Sequence, residues 1–345
     1  MNAKYRVLIF DESAFIRQYL SEILNNSGEL EVAAVTGDPA KARELIRTRD
    51  YDVITLDTGM KDGQLILNDL KQASLKPVVL INSPNQNDAT LTKAFITNVV
   101  DFVNKPSFGF KEGMPKLEDE IVKKVIAAAK IKLVPKTKII ELQSKNIFEN
   151  FTTVNRNGCN DKLIVIGAST GGTIALTQIF RNLDFNLPGI VIIQHMPELY
   201  TGAFAQSLDK MGQIIVKEAQ DGDQIIPGIA LIVPGGKSLT IRRGLTVVVR
   251  NAAKDVRYSP SIDATMFTAA AAAGSKAMGI ILTGMGDDGA RGLRAMYDQG
   301  AYTVAQDERT SIIYGMPKKA VEYGGVHKIL PLDALAGEMK KWAFT

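Results

Sequence analysis

The chain has 345 residues, an apolar share of 46% and 41 basic against 37 acidic side chains, which leaves a formal charge of only +4. That length supports two cores, and so small and scattered a charge, with no helix-turn-helix segment, argues against a nucleic-acid-binding regulator. A single cysteine, Cys159, excludes an internal disulfide; there is no Cys/His metal cluster, and no uninterrupted apolar stretch is long enough to cross a bilayer.

The start, Met1 to Tyr5, runs directly into a strand pattern without a secretory leader, so the expected location is the cytoplasm, with no membrane insertion. The first apolar run, Val7-Leu8-Ile9-Phe10, ends in the acidic pair Asp11-Glu12. A second run closes on Asp57, and a third, Asp101 to Asn104, leads into Lys105. A carboxylate can attack a phosphoryl group only if repulsion is neutralised, which clustered acids holding Mg²⁺ and a nearby ammonium achieve. With strand and helix patterns alternating to about residue 131, residues 1–132 resemble a response-regulator receiver domain, a flavodoxin-like doubly wound parallel sheet.

The resemblance implies phosphorylation at Asp57, a Mg²⁺ site at Asp11, Glu12 and Asp57, and a Lys105 that pairs with the phosphoryl group. It has three departures. Glu12 stands where the family has aspartate, one methylene longer than octahedral Mg²⁺ favours. The loop Thr58 to Gly63 is about two residues short of the family pattern and lacks its proline. Asn82 replaces the switching threonine or serine, leaving either Ser83 as substitute or a blunted switch.

Residues 133–159 are polar and irregular apart from a short run near Ile139, and read as a linker. Residues 160–345 then form a second α/β domain. It opens with Leu163-Ile164-Val165-Ile166 followed by Gly167-Ala168-Ser169-Thr170-Gly171-Gly172. A serine on a tight strand-to-helix turn exposes its hydroxyl among small neighbours, as a nucleophile requires. Alone, the hexapeptide is equally a glycine-rich connection or a phosphate cradle. Two later runs tip the balance: Ile190 to Ile193 ends in Gln194-His195, and Met278 to Leu282 opens into Gly284-Met285-Gly286-Asp287-Asp288-Gly289. Ligands of parallel sheets bind outside the carboxyl ends of the strands, so three strands would deliver serine, histidine and aspartate to one edge. Of the two histidines, His327 reads as a solvated surface residue, which leaves His195 as the base. The residue types alone do not separate Asp287 from Asp288. The alanine run Ala269 to Ala273 reads as part of a core helix.

The segments GASTGG, QHMPELYTGAF, SPSIDATMF, ILTGMGDDGARGL and AQDERTSIIYGMP resemble, in order and spacing, the Rossmann-like catalytic domain of the chemotaxis protein-glutamate methylesterases (CheB). The resemblance implies Ser169 as nucleophile, His195 as base, Asp288 as orienting carboxylate, and Thr170 and Met285 as backbone oxyanion donors. It implies an esterase that uses no cofactor for its chemistry and acts on glutamate methyl esters of chemoreceptors, with deamidation of receptor glutamines alongside. The chemotaxis histidine kinase would be the phosphodonor. Two rival classes are a dinucleotide-dependent enzyme, disfavoured because Ser169 occupies the second glycine of a G-x-G-x-x-G turn, and a non-enzymatic scaffold. Neither explains three chemically matched residues after three strands.

Overall fold

The computed structural model describes residues 3–73, 76–82, 98–105, 110–131, 133, 161–253 and 256–345. The expected linker beyond residue 133, with Cys159 in it, lies outside the described residues, as does Ser83. The chain divides into two compact units, Met1–Val134 and Pro135–Thr345.

In the first unit β1 (Tyr5–Phe10), β2 (Leu30–Thr36), β3 (Val53–Asp57), β4 (Val78–Asn82) and β5 (Val99–Asn104) form one sheet of order β2-β1-β3-β4-β5. Every pairing is parallel. β1 and β3 are almost wholly buried, which is why they read as apolar runs rather than alternating ones. The helix Ala14–Asn26 starts where the Ser13 side chain accepts from the Ile16 N–H. The helix Pro39–Thr48 starts where Asp38 accepts from Ala40, with Pro39 suited to a first turn that needs no N–H donor. The chain leaves β1 in one direction for β2 and crosses back for β3, so the switch point lies between them, beside Asp11 and Asp57.

The second unit holds a seven-stranded sheet of order β14-β13-β12-β6-β7-β9-β8. Its strands are β6 (Leu163–Ala168), β7 (Gly189–Gln194), β8 (Ile215–Glu218), β9 (Ile229–Ile232), β12 (Ala277–Ile281), β13 (Tyr302–Gln306) and β14 (Lys328–Leu330). Again every pairing is parallel. An antiparallel hairpin of β10 (Lys237–Arg242) and β11 (Thr246–Asn251) stands apart from it. β6, β7 and β12 are buried throughout. The helix Ile262–Ala273 carries part of the alanine run into the core, with Ala269 and Ala270 buried against β6 and β12 residues. It also lies close to the helix Ala290–Asp298, because a Cβ on Gly292 would meet Met266 and Asp263.

Candidate active site

β12, β6 and β7 are adjacent in the sheet, and their carboxyl ends lead into Asp288, Ser169 and His195 respectively. β6 is the switch strand, since the chain runs from it to β7 on one side and later returns to β12 on the other. The three side chains meet there. His195 Nδ1 lies 3.1 Å from Ser169 Oγ, and His195 Nε2 lies 2.8 Å from Asp288 Oδ2. An ionised carboxylate only accepts, so the network assigns the ring proton to Nε2 and leaves the Nδ1 lone pair facing the serine hydroxyl.

The turn that carries Ser169 is tied down by its backbone. The Ser169 N–H donates to Thr283 at 3.1 Å, and the Ser169 carbonyl accepts from Gly172 at 2.7 Å. Gly171, at φ +79°, adopts a left-handed conformation that suits glycine, and any side chain there would strike Ile312. The Gly284 backbone packs against the serine itself: a Cβ on it would lie 2.7 Å from Ser169 Cβ and collide with Met316. This brings the loop carrying Met285 onto Ser169. Neither the Thr170 N–H nor the Met285 N–H donates to an acceptor among the described residues.

Asp288 is buried, and four donors surround its carboxylate. Oδ2 accepts from His195 and from the Ile262 N–H at 2.8 Å; Oδ1 accepts from the Asp263 N–H at 2.9 Å and from the Ser261 hydroxyl at 3.2 Å. Burial pushes the carboxyl up, but the bonds from His195 and from the Asp263 and Ile262 N–H groups outweigh it and hold it below the ordinary aspartate value. These donors open the helix Ile262–Ala273, whose positive end favours an anion. Asp287 turns elsewhere, its Oδ1 accepting from Arg257 at 3.2 Å.

Two further side chains shape the site and were not singled out by sequence. Gln194 is buried, and its Nε2 donates to the carbonyls of Ser169 at 2.9 Å and His195 at 3.2 Å. A polar residue closing an apolar strand was the signal available for it. Tyr258 stacks on the imidazole of His195 at 4.9 Å between centroids and 2° between planes. It directly precedes the segment SPSIDATMF, but the resemblance gave it no role. His327 lies away from the triad, exposed but not purely solvated, stacked on Tyr297 with Nδ1 at 2.7 Å from Thr303 Oγ1.

In the first unit the Lys105 ammonium bridges Asp11 Oδ2 and Asp57 Oδ1, each at 2.8 Å, and all three are buried. Burial pushes the Asp11 carboxyl above its ordinary value; the charge of Asp57 adds to this, while Lys105 opposes it. Glu12 does not join them through its Oε1, which accepts from the Lys61 N–H at 2.6 Å on the loop after Asp57. Asn82 links the two strand ends that carry Asp57 and Lys105: it accepts from Thr58 at 3.3 Å and donates to Asn104 at 3.0 Å. Among the described residues no three His, Cys, Asp or Glu side chains gather as metal ligands, and no helix is long and apolar enough to cross a membrane.

Comparison with known proteins shows what this chain is similar to. Residues 164–339 match the CheB methylesterase family and residues 7–114 the response regulator receiver domain. A protein-glutamate methylesterase/protein-glutamine glutaminase of Geobacter metallireducens is 40% identical, over 98% of this chain and 95% of that one. The protein of the same name in Salmonella typhimurium is 37% identical, over 98% and 96%. The crystal structure of the Thermotoga maritima CheB methylesterase catalytic domain is 36% identical with a TM-score of 0.50, covering 52% of this chain and 98% of that one.

Proposed function

This chain belongs to the CheB methylesterase family, and from that membership and the triad geometry we propose that it is a phosphorylation-regulated protein-glutamate methylesterase and protein-glutamine glutaminase of bacterial chemotaxis. The observation that carries the reading is the His195 ring, set between Ser169 Oγ at 3.1 Å and Asp288 Oδ2 at 2.8 Å.

The substrate is the methyl ester of a glutamate side chain on a chemoreceptor. Ser169 Oγ attacks the ester carbonyl carbon while His195 Nδ1 takes its proton, and Asp288 stabilises the imidazolium that results. The carbonyl oxygen, now an oxyanion, accepts from the N–H groups of Thr170 and Met285, whose lack of other acceptors among the described residues supports this role. The tetrahedral intermediate collapses, the C–O bond to methanol breaks, and His195 gives methanol its proton. Water then attacks the acyl-enzyme with His195 as base, releasing the glutamate carboxylate and restoring Ser169. With a glutamine substrate the leaving group is ammonia. No cofactor enters this chemistry.

The receiver takes a phosphoryl group on Asp57 from the chemotaxis histidine kinase, and phosphorylation raises esterase activity. The donor set fits Mg²⁺: two buried carboxylates, Asp11 and Asp57, suit a hard dication that keeps several waters, and the raised Asp11 is relieved by added positive charge. When bound, Mg²⁺ offsets the negative charge that a phosphodonor brings to Asp57. Lys105 pairs with the same incoming charge, and Asn82 and Ser83 support the phosphoryl site. The receptors' substrate glutamates lie on their cytoplasmic side, so the enzyme works in the cytoplasm, without inserting into the membrane or binding nucleic acid.

The test is methanol release from methylated chemoreceptors by the wild type and Ser169→Ala, each with and without Mg²⁺ and a small phosphodonor. Release that needs Ser169 and rises with phosphodonor is the expected result. Release that survives Ser169→Ala would overturn the esterase assignment, and serine-dependent release indifferent to phosphodonor would overturn the regulatory one.

A further inference from the structure

Hydrogen bonds of ordinary length to the two ring nitrogens tolerate some tilt of an imidazole about its χ1 and χ2 torsions. In this site the Tyr258 ring packs parallel to the imidazole. It lies within 2° of parallel to His195 at 4.9 Å, an offset stack rather than a face-to-face sandwich with the rings in contact. The tyrosine is itself fixed at both ends of its environment. Its hydroxyl fills the space over Gly286, where a Cβ would come within 2.6 Å of it. Arg257 lies over the Tyr258 ring, 4.9 Å from its centroid, and donates to Asp287 at 3.2 Å. Residues 257 and 258 are therefore fastened to Gly286 and Asp287, the stretch of loop that leads directly into Asp288.

From this arrangement we infer that Tyr258 is the positioning residue of the base: it holds the His195 plane so that Nδ1 and Nε2 face Ser169 and Asp288 at once, and presents an aromatic face to the imidazolium formed during acylation. The inference rests on the esterase reading above. A ring face attracts a cation and only weakly discriminates against the neutral imidazole, so its benefit grows as the proton moves onto His195. Both effects belong to the ring face, and the hydroxyl contributes its packing over Gly286.

The experiment uses the full chain and compares Tyr258→Phe, Tyr258→Leu, Tyr258→Met and Ser169→Ala. Methanol release from methylated receptors gives kcat and KM, and labelling of Ser169 by a fluorophosphonate probe reports the activated serine without receptor docking. Tyr258→Leu and Tyr258→Met should each lose about tenfold in kcat and in labelling rate, with KM within about twofold, while Tyr258→Phe stays near the wild type. Having two ringless variants keeps the test decisive if one of them fails to fold. Wild-type kcat in a ringless variant, equal losses in Phe and Leu, or a loss confined to KM would each overturn the inference while leaving the esterase intact. Undiminished methanol release by Ser169→Ala would instead overturn the esterase reading, and the Tyr258 inference with it.

Discussion

The Gln194 amide donates to the Ser169 carbonyl at 2.9 Å, holding the residue before the base against the backbone of the nucleophile. The same nitrogen reaches the His195 carbonyl at 3.2 Å. One buried side chain thus spaces two of the three triad members. Gln194→Leu keeps the volume and removes the donor, leaving the His195 carbonyl with one partner fewer. It should cost about 1–3 kcal/mol in urea unfolding of the catalytic unit and lower kcat about tenfold or more. Unchanged stability and kcat would show that the amide is incidental.

The two adjacent aspartates should behave oppositely. Asp288→Asn replaces an acceptor-only group with one that favours the wrong imidazole tautomer, and kcat for methanol release should fall on the order of 10⁴-fold, as for the aspartate of other triads. Asp287→Asn only loosens an exposed pair with Arg257 and should stay within about threefold.

Asp288 also has a signature in stability. Its folded carboxyl lies below the ordinary aspartate value, so its ionised form adds stability at and above that value, and this is lost as pH falls through the lowered folded one. The difference in urea midpoint between wild type and Asp288→Asn should therefore be largest near neutrality and narrow on acidification. A gap that widens in acid would contradict the assignment of these four donors to a charged group.

Gly284→Ala tests how closely the acidic loop rests on the nucleophile. The new methyl group would meet Ser169 Cβ at 2.7 Å and overlap the buried Met316. Overpacking of this kind typically costs about 1–3 kcal/mol, and displacement of Ser169 should cut labelling by a fluorophosphonate at least about tenfold. Normal labelling would mean that the loop yields without moving the serine.

In the receiver, Asp11 and Glu12 should separate in their response to Mg²⁺. Asp11 is held above its ordinary value by burial, so ionising it costs the fold, and that cost appears as pH rises through the interval between the unfolded and folded values. Asp11→Asn should accordingly raise receiver stability at neutral pH without metal, yet weaken Mg²⁺ binding in titration calorimetry at least about tenfold. Glu12→Gln keeps an oxygen for the Lys61 N–H and should bind Mg²⁺ within about threefold of wild type. Equal weakening by both substitutions would instead support Glu12 as a ligand beside Asp11 and Asp57, as the receiver resemblance implies.

Much of the architecture was legible because buried parallel strands are apolar from end to end: β1, β6 and β7 announce themselves, and the residues just past each strand lie at the ligand edge. Ser169, His195 and Asp288 were legible as chemical types after strands. The division of labour between Asp287 and Asp288 was legible only through the family resemblance, because the groups that draw them apart, Arg257 and the opening of the helix Ile262–Ala273, come from elsewhere in the chain. Glu12 could be seen as a departure, but not where its extra methylene leads, since the Lys61 N–H that receives it belongs to an irregular loop. Tyr258 had no pattern to betray it, as a half-buried tyrosine is common and its stack depends entirely on tertiary placement.

The placement of β12 beside β6 has a consequence for the life history of the molecule. Serine and base arrive with the first two strands of the catalytic sheet, but their carboxylate comes only with the strand added on the far side of β6. A ribosome-bound chain, or a fragment clipped ahead of Ala277, can contain the nucleophile and its histidine and still have no Asp288 to complete them. On the proposed esterase reading, such partial copies lack the carboxylate that orients His195.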